Sequence, residues 1–128
     1  MKSFALASIA ALGFASAGFA DPIEGVWRTE PDGGAFAYVT ISPCGDRFCG
    51  AITQTFNANG EFVSPNTGRQ IVREMMPVGG GKYEGKVWRP SNDKIYTGKI
   101  DLSGNQMALR GCIAGGLICA RQDWVRVR

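Results

Sequence analysis

Cys44 and Cys49 enclose four residues, Gly45-Asp46-Arg47-Phe48, while Cys112 and Cys119 enclose six, centred on Gly115-Gly116. Each spacing suits one β-hairpin closed by its own disulfide. A two-residue turn at Gly115-Gly116 sets Ala114 opposite Leu117, Ile113 opposite Ile118 and Cys112 opposite Cys119. A turn at Asp46-Arg47 likewise sets Gly45 opposite Phe48 and Cys44 opposite Cys49. Opposed β-carbons lie about 4.5–5.5 Å apart and draw in slightly when bridged. Four cysteines permit three connectivities, so the crossed pairings stay open at this point. A tetrathiolate zinc site is a further alternative, although the usual Cys-x₂-Cys spacing is missing. Disulfides of either pattern require an oxidising compartment.

The start of the chain agrees with export. Residues 1–20 read as a secretory signal peptide. Lys2 is their single charge, Phe4 to Phe14 is an apolar run, and Gly18-Phe19-Ala20 offers a small-x-small cleavage site, with Ala17 nearly as good. The run is shorter than the roughly 20 apolar residues a membrane span needs. No other stretch is suited to crossing a bilayer, and no cysteine follows the cleavage region to take a lipid. The expectation is a periplasmic or secreted chain without stable membrane insertion.

Cleavage at that point leaves 108 of the 128 residues, one domain over 21–128. A domain so small buries only about 65% of the surface its unfolded chain exposes. A disulfide closing each hairpin then adds roughly 2–2.5 kcal/mol in the chain-entropy model. Without Lys2, the 14 basic residues fall to 13 against 11 acidic ones, and they are scattered singly. That balance excludes the basic patch a nucleic-acid partner requires.

After the leader, Gly and Pro punctuate the chain about every 8–12 residues and the segments between them alternate, as short strands do. The expected strands are Gly25–Thr29, Ala35–Ile41, Phe48–Phe56, Gln70–Met76, Lys82–Arg89, Lys94–Leu102, Gln106–Cys112 and Leu117–Arg128, with an irregular loop over 57–69. Ala37, Val39 and Ile41 share a face, as do Ile52 and Phe56. Tyr83, Gly85 and Val87 oppose Lys82, Glu84 and Lys86. Tyr96, Gly98, Ile100 and Leu102 line one side of the next strand, and Met107, Leu109 and Gly111 one side of its neighbour. About eight such strands in simple succession suit a small antiparallel up-and-down barrel, which covers the apolar face and abolishes edges. Gly50, Gly85, Gly98 and Gly111 fit the tight bends of a small barrel. A two-sheet sandwich is the competing all-β arrangement.

The chain has no histidine. That removes Ser-His-Asp and Cys-His nucleophile systems, imidazole metal sites and the commonest general base. Gly79-Gly80-Gly81-Lys82 fails as a phosphate loop, with Met76 where the first glycine belongs and Tyr83 where Ser or Thr belongs. The carboxylates are dispersed and no pair is singled out for glycosidase chemistry. Asn57-Ala58-Asn59-Gly60-Glu61 lacks the leading aspartates of a calcium loop. No enzyme, metal or cofactor is therefore expected. Trp27 and Trp124 read as core residues. Trp88, beside Glu84 and Lys86 on the charged face of its strand, reads as an exposed contact residue.

Several stretches together resemble the DUF2147 family of small exported bacterial proteins. They are Gly25-Val26-Trp27; Ile41-Ser42-Pro43-Cys44 with Phe48-Cys49-Gly50-Ala51-Ile52; Lys86-Val87-Trp88-Arg89-Pro90 with Lys94-Ile95-Tyr96; and Leu109-Arg110-Gly111-Cys112-Ile113-Ala114-Gly115-Gly116-Leu117-Ile118-Cys119, followed by Gln122-Asp123-Trp124-Val125-Arg126-Val127. The resemblance spans nearly all of 21–128 and implies a lipocalin-like barrel of unestablished activity. It also implies that Trp27 packs at the closed end beneath Arg126, or Arg128 in its stead, as a structural pair.

An eight-stranded barrel can enclose one small ligand. The function expected is the binding of a small apolar or amphipathic molecule in the bacterial envelope, with Tyr83, Val87, Tyr96, Ile100, Met107 and Leu109 as cavity-lining candidates. The alternative is a protein–protein module, such as an inhibitor of an envelope hydrolase, using the 57–69 loop and the Trp88-Arg89-Pro90 tip.

Overall fold

The computed structural model describes residues 20–128, so the signal peptide expected over 1–20 falls, Ala20 apart, outside the described residues. The strands are β1 (Gly25–Arg28), β2 (Phe36–Cys44), β3 (Arg47–Asn57), β4 (Gly60–Phe62), β5 (Gln70–Gly79), β6 (Lys82–Arg89), β7 (Lys94–Ser103), β8 (Gln106–Ile113) and β9 (Ile118–Arg126). A 3₁₀ turn, Ala114–Gly116, joins β8 to β9. Each strand pairs antiparallel with its successor along β1-β2-β3 and β5-β6-β7-β8-β9, β3 pairs with β5, and β1 returns to β9. Eight strands thus close into the barrel expected from the sequence. β4 is a short addition hydrogen-bonded to β3, inside the stretch expected to be irregular.

Alternation decides which side chains fill the barrel. Ala37, Val39 and Ile41 of β2, Ile100 of β7 and Met107 of β8 are buried on the inner face. The expectation for Phe56 is corrected by a bulge. Tyr38 pairs with Gln54 but Val39 pairs with Ile52, so Thr53 is an extra residue in β3. The insertion reverses the phase of the strand. Ile52 and Thr55 turn inward, and Phe56 turns outward against Phe36 and Tyr38, with ring centroids 5.0 and 4.7 Å away.

Both hairpin disulfides form, and no described cysteine remains free for a zinc site. Cys112 lies directly opposite Cys119, as the spacing predicts. The first hairpin differs in register. Its turn is Gly45-Asp46 rather than Asp46-Arg47, so Cys44 pairs with Arg47 while Cys49 faces Ser42. The bridge therefore runs diagonally between α-carbons 5.8 Å apart. Gly45, at φ 69°, supplies the left-handed conformation that a two-residue hairpin turn needs at its first position.

Strand direction sorts the connections between the two ends of the barrel. The turns at 45–46, 80–81 and 104–105 lie at one end, with residues 21–24 and the last residues of the chain. Here Ile23 and Trp27 are completely buried. The Trp27 indole donates to the Ile23 carbonyl at 2.9 Å, and the Arg126 guanidinium lies 4.4 Å over the indole ring. Arg126 also donates through Nη1 to the Glu24 carbonyl at 2.8 Å, through Nε to Asn105 Oδ1 at 3.0 Å, and through Nη2 to the Pro22 carbonyl. Gly25 is required beneath it. Its φ is 135°, and a β-carbon there would stand 2.6 Å from Arg126 Nη1. One guanidinium thereby ties the entering segment, β1 and the β7–β8 turn into a plug.

Removing that side chain loses the stacking and its hydrogen bonds together. Arg126→Ala is predicted to lower the unfolding free energy by about 2–4 kcal/mol in a urea titration. Arg126→Lys should recover less than half of the loss, because an ammonium cannot stack and fork at once.

Candidate functional site

Gly85, Gly98, Gly111 and Ala120 form one cross-strand row on the inner face of β6, β7, β8 and β9. Four small residues in succession leave a trough in the wall, beyond the bends for which glycine is expected. At the β6 side the trough is filled. β5 carries its own bulge, with Glu74 at φ 53°, and a β-carbon on Gly85 would stand 2.6 Å from the Glu74 carbonyl oxygen. A β-carbon on Gly98 would meet Met75 Cε at 2.6 Å. At the β9 side the trough is empty, and a β-carbon on Gly111 would meet only Tyr96, at 3.5 Å.

The empty half is continuous with a cavity of about 650 Å³ that opens between the connections at 29–35, 57–69 and 90–93. Its walls are apolar at Ile52, Ile71, Val87, Leu109 and Trp124, and small at Ala37, Gly111 and Ala120. Polar groups enter at Thr29, Thr55, Tyr96 and Gln122, and the mouth carries Glu30, Asp32, Arg89 and Arg121. Arg121 pairs with Asp123 at 2.8 Å, and Glu30 Oε1 accepts from the Asp123 backbone N–H at 2.9 Å. Among the described residues no cluster of three or more His, Cys, Asp or Glu side chains is placed to hold a metal ion.

Of the six cavity candidates, Val87, Tyr96 and Leu109 line this space, whereas Tyr83, Ile100 and Met107 do not. The division follows from strand tilt. Tyr83, Ile100, Leu109 and Gln122 occupy one cross-strand row, but in a barrel such a row spirals from one end towards the other. Tyr83 lies at the plugged end, edge-on to Phe48 with centroids 6.3 Å apart, and its hydroxyl donates to Asp21 Oδ1. Burial, then the Asp21 hydrogen bond, raise the phenol well above its ordinary pKa of 10.0. Thr29, Ala37, Ile52, Gln122 and Trp124 are lining residues that the sequence reading did not assign. Gln122 could have been found, because it lies two residues from Trp124 on the same face of β9.

The expectation that Trp88 is exposed is corrected. It does follow Val87 onto the opposite face, but only 3% of its surface is accessible. The 57–69 segment folds back so that the Arg69 guanidinium lies 4.0 Å over the indole, with Arg73 at 5.7 Å. The indole N–H donates to Asp93 Oδ1 at 2.8 Å. Arg69 covers it and its donor is taken, so the tip at Pro90 offers no exposed tryptophan to a partner.

A closed eight-stranded antiparallel barrel, plugged at one end beneath an arginine–tryptophan stack and open at the other, has the architecture of the lipocalins. Residues 25–126 match the family described as an uncharacterized protein conserved in bacteria, DUF2147, and the chain belongs to that family. Its fold is similar to that of protein HP1028 from the human pathogen Helicobacter pylori, which belongs to the lipocalin family. The TM-score is 0.67, the identity 15%, and 83% of each chain is covered. No protein with a curated description matches the sequence.

Two outcomes check this geometry. Gly85→Ala must displace strand backbone and should cost about 1–3 kcal/mol in chemical unfolding, while Gly111→Ala, with room to spare, should stay within about 0.5 kcal/mol of the parent. The raised Tyr83 phenol contributes stability that is fully present below about pH 10 and is lost as pH rises through and above that value. Tyr83→Phe should therefore cost about 1 kcal/mol at neutral pH and flatten the alkaline fall in stability. An unchanged alkaline limb would contradict the assignment.

Proposed function

We propose that this protein binds one small apolar or amphipathic molecule in the open half of its barrel, in the bacterial envelope. The observation that carries the reading is the half-empty row of small residues. A core built only for stability would fill the space beside Gly111 and Ala120, as Met75 and the β5 bulge fill it beside Gly98 and Gly85. A volume of about 650 Å³ lies within the range of small-molecule sites, and its apolar walls with few polar groups match their usual composition. The architecture is one typically used for binding rather than catalysis. Two disulfides suit an oxidising compartment, and among the described residues no helix is long and apolar enough to cross a membrane.

Occupancy of the barrel should stabilise it in proportion to ligand concentration. Native mass spectrometry and thermal unfolding against a panel of fatty acids and aromatic compounds are the test. Gly111→Leu, which fills the trough without demanding a left-handed backbone, should retain the fold by circular dichroism and lose the thermal shift. Equal shifts in parent and variant would place binding elsewhere.

A further inference from the structure

Building on that ligand reading, we infer that the bound molecule presents an oxygen acceptor, a carboxylate or a carbonyl, to a set of hydrogen-bond donors led by Gln122. An indole N–H can only donate. Trp124 Nε1 donates to Gln122 Oε1 at 2.9 Å, which fixes the way the amide faces. Its Nε2, with two N–H groups, is left without a protein partner among the described residues, on a side chain that lines the cavity.

The same logic operates at Tyr96. The Lys94 backbone N–H donates to Asn92 Oδ1 at 3.2 Å, so Asn92 turns its Nδ2 towards Tyr96 and donates to the phenol oxygen at 2.7 Å. The phenol proton must then point away from Asn92. Thr29 is a third case, since its Oγ1 accepts from the Ala37 N–H at 2.9 Å and keeps its own proton to give. Three cavity-lining groups from separate segments thus have an acceptor side engaged by protein N–H groups and a donor side unclaimed. Thr55, also buried in the cavity wall, is already spent as a donor to the Phe62 carbonyl at 2.7 Å.

Around these donors stand Ile52, Leu109 and Trp124, which desolvate whatever enters. Donors in such a setting discriminate, because a ligand without an acceptor leaves them buried and unpaired. At the mouth, Arg89 and Arg121 are offset by Glu30 and Asp32. The mouth itself does not choose between an acid and an uncharged ester, and the shared chemistry is the oxygen acceptor at the end of an apolar body.

The test is isothermal titration calorimetry of the disulfide-intact protein with dodecanoate, methyl dodecanoate and dodecylammonium. The acid, or the acid and the ester, should bind about tenfold or more tightly than the amine. Binding of the acid alone identifies a carboxylate as the acceptor, and binding of both identifies a carbonyl oxygen. Gln122→Glu keeps an acceptor for the Trp124 indole but turns a carboxylate oxygen towards the cavity. It should shift the preference towards the amine, a gain that a misfolded variant could not show. Three equal affinities that Gln122→Glu leaves unchanged, or an amine preferred by the parent protein, would overturn the inference and leave the ligand reading standing. No binding by any of the three, with no thermal shift across the wider panel, would overturn both.

Discussion

Closure of this barrel rests on Arg126. β1 contributes four residues, and only Trp27 and Arg28 pair in register with β9. Backbone bonds from Val26 to the last two residues of the chain extend the seam, but the side chain that spans it belongs to Arg126. Its guanidinium covers Trp27 and fastens the Pro22 and Glu24 carbonyls. Without that clamp, the seam between β1 and β9 would be held by these few backbone bonds alone. With it, Ile23 and Trp27 become a floor, and every cavity above them has a bottom.

The floor makes the two ends unequal. Near it, the inner face is filled by Trp27, Ile41, Met75, Ile100 and Met107, all almost completely buried. Close packing of this kind tolerates no vacancy. Towards the other end, the same alternation brings in Ala37, Gly111 and Ala120, too small to meet across the barrel. Strand tilt converts one row of small residues into a gradient along the axis, packed under β6 and hollow under β9. The close-packed core of the domain and its open space therefore reside in different halves. This lets the hollow half carry polar groups, such as the Gln122 amide, that a packed core would reject.

Much of this was legible in the sequence, for local reasons. Alternation of apolar and charged residues reads directly onto the eight strands that form the barrel, and the Cys112–Cys119 register follows from turn length. The pairing of Trp27 with Arg126 came from the family resemblance. What the sequence hid is non-local. The bulge at Thr53 is one extra residue, visible only against β2, yet it sends Phe56 to the outside. Trp88 has a charged strand face around it, and its cover comes from Arg69, in a different connection. The level of a residue along the barrel depends on tilt, which no single strand encodes. Tyr83 and Leu109, with equal claims to the cavity from sequence, consequently end in different halves.

The division of the barrel into a packed and a hollow half is tested most directly by nitrogen–proton correlation spectra recorded during titration with dodecanoate. Shifts are expected at the amides of Ala37, Gly111 and Ala120 and at the side-chain amide of Gln122. The Trp27 indole and the amides of Ile100 and Met107 should hold their positions. Saturable shifts centred on Trp27 and Met107, or confined to the outer aromatic cluster of Phe36, Tyr38 and Phe56, would contradict a binding barrel that works from one end.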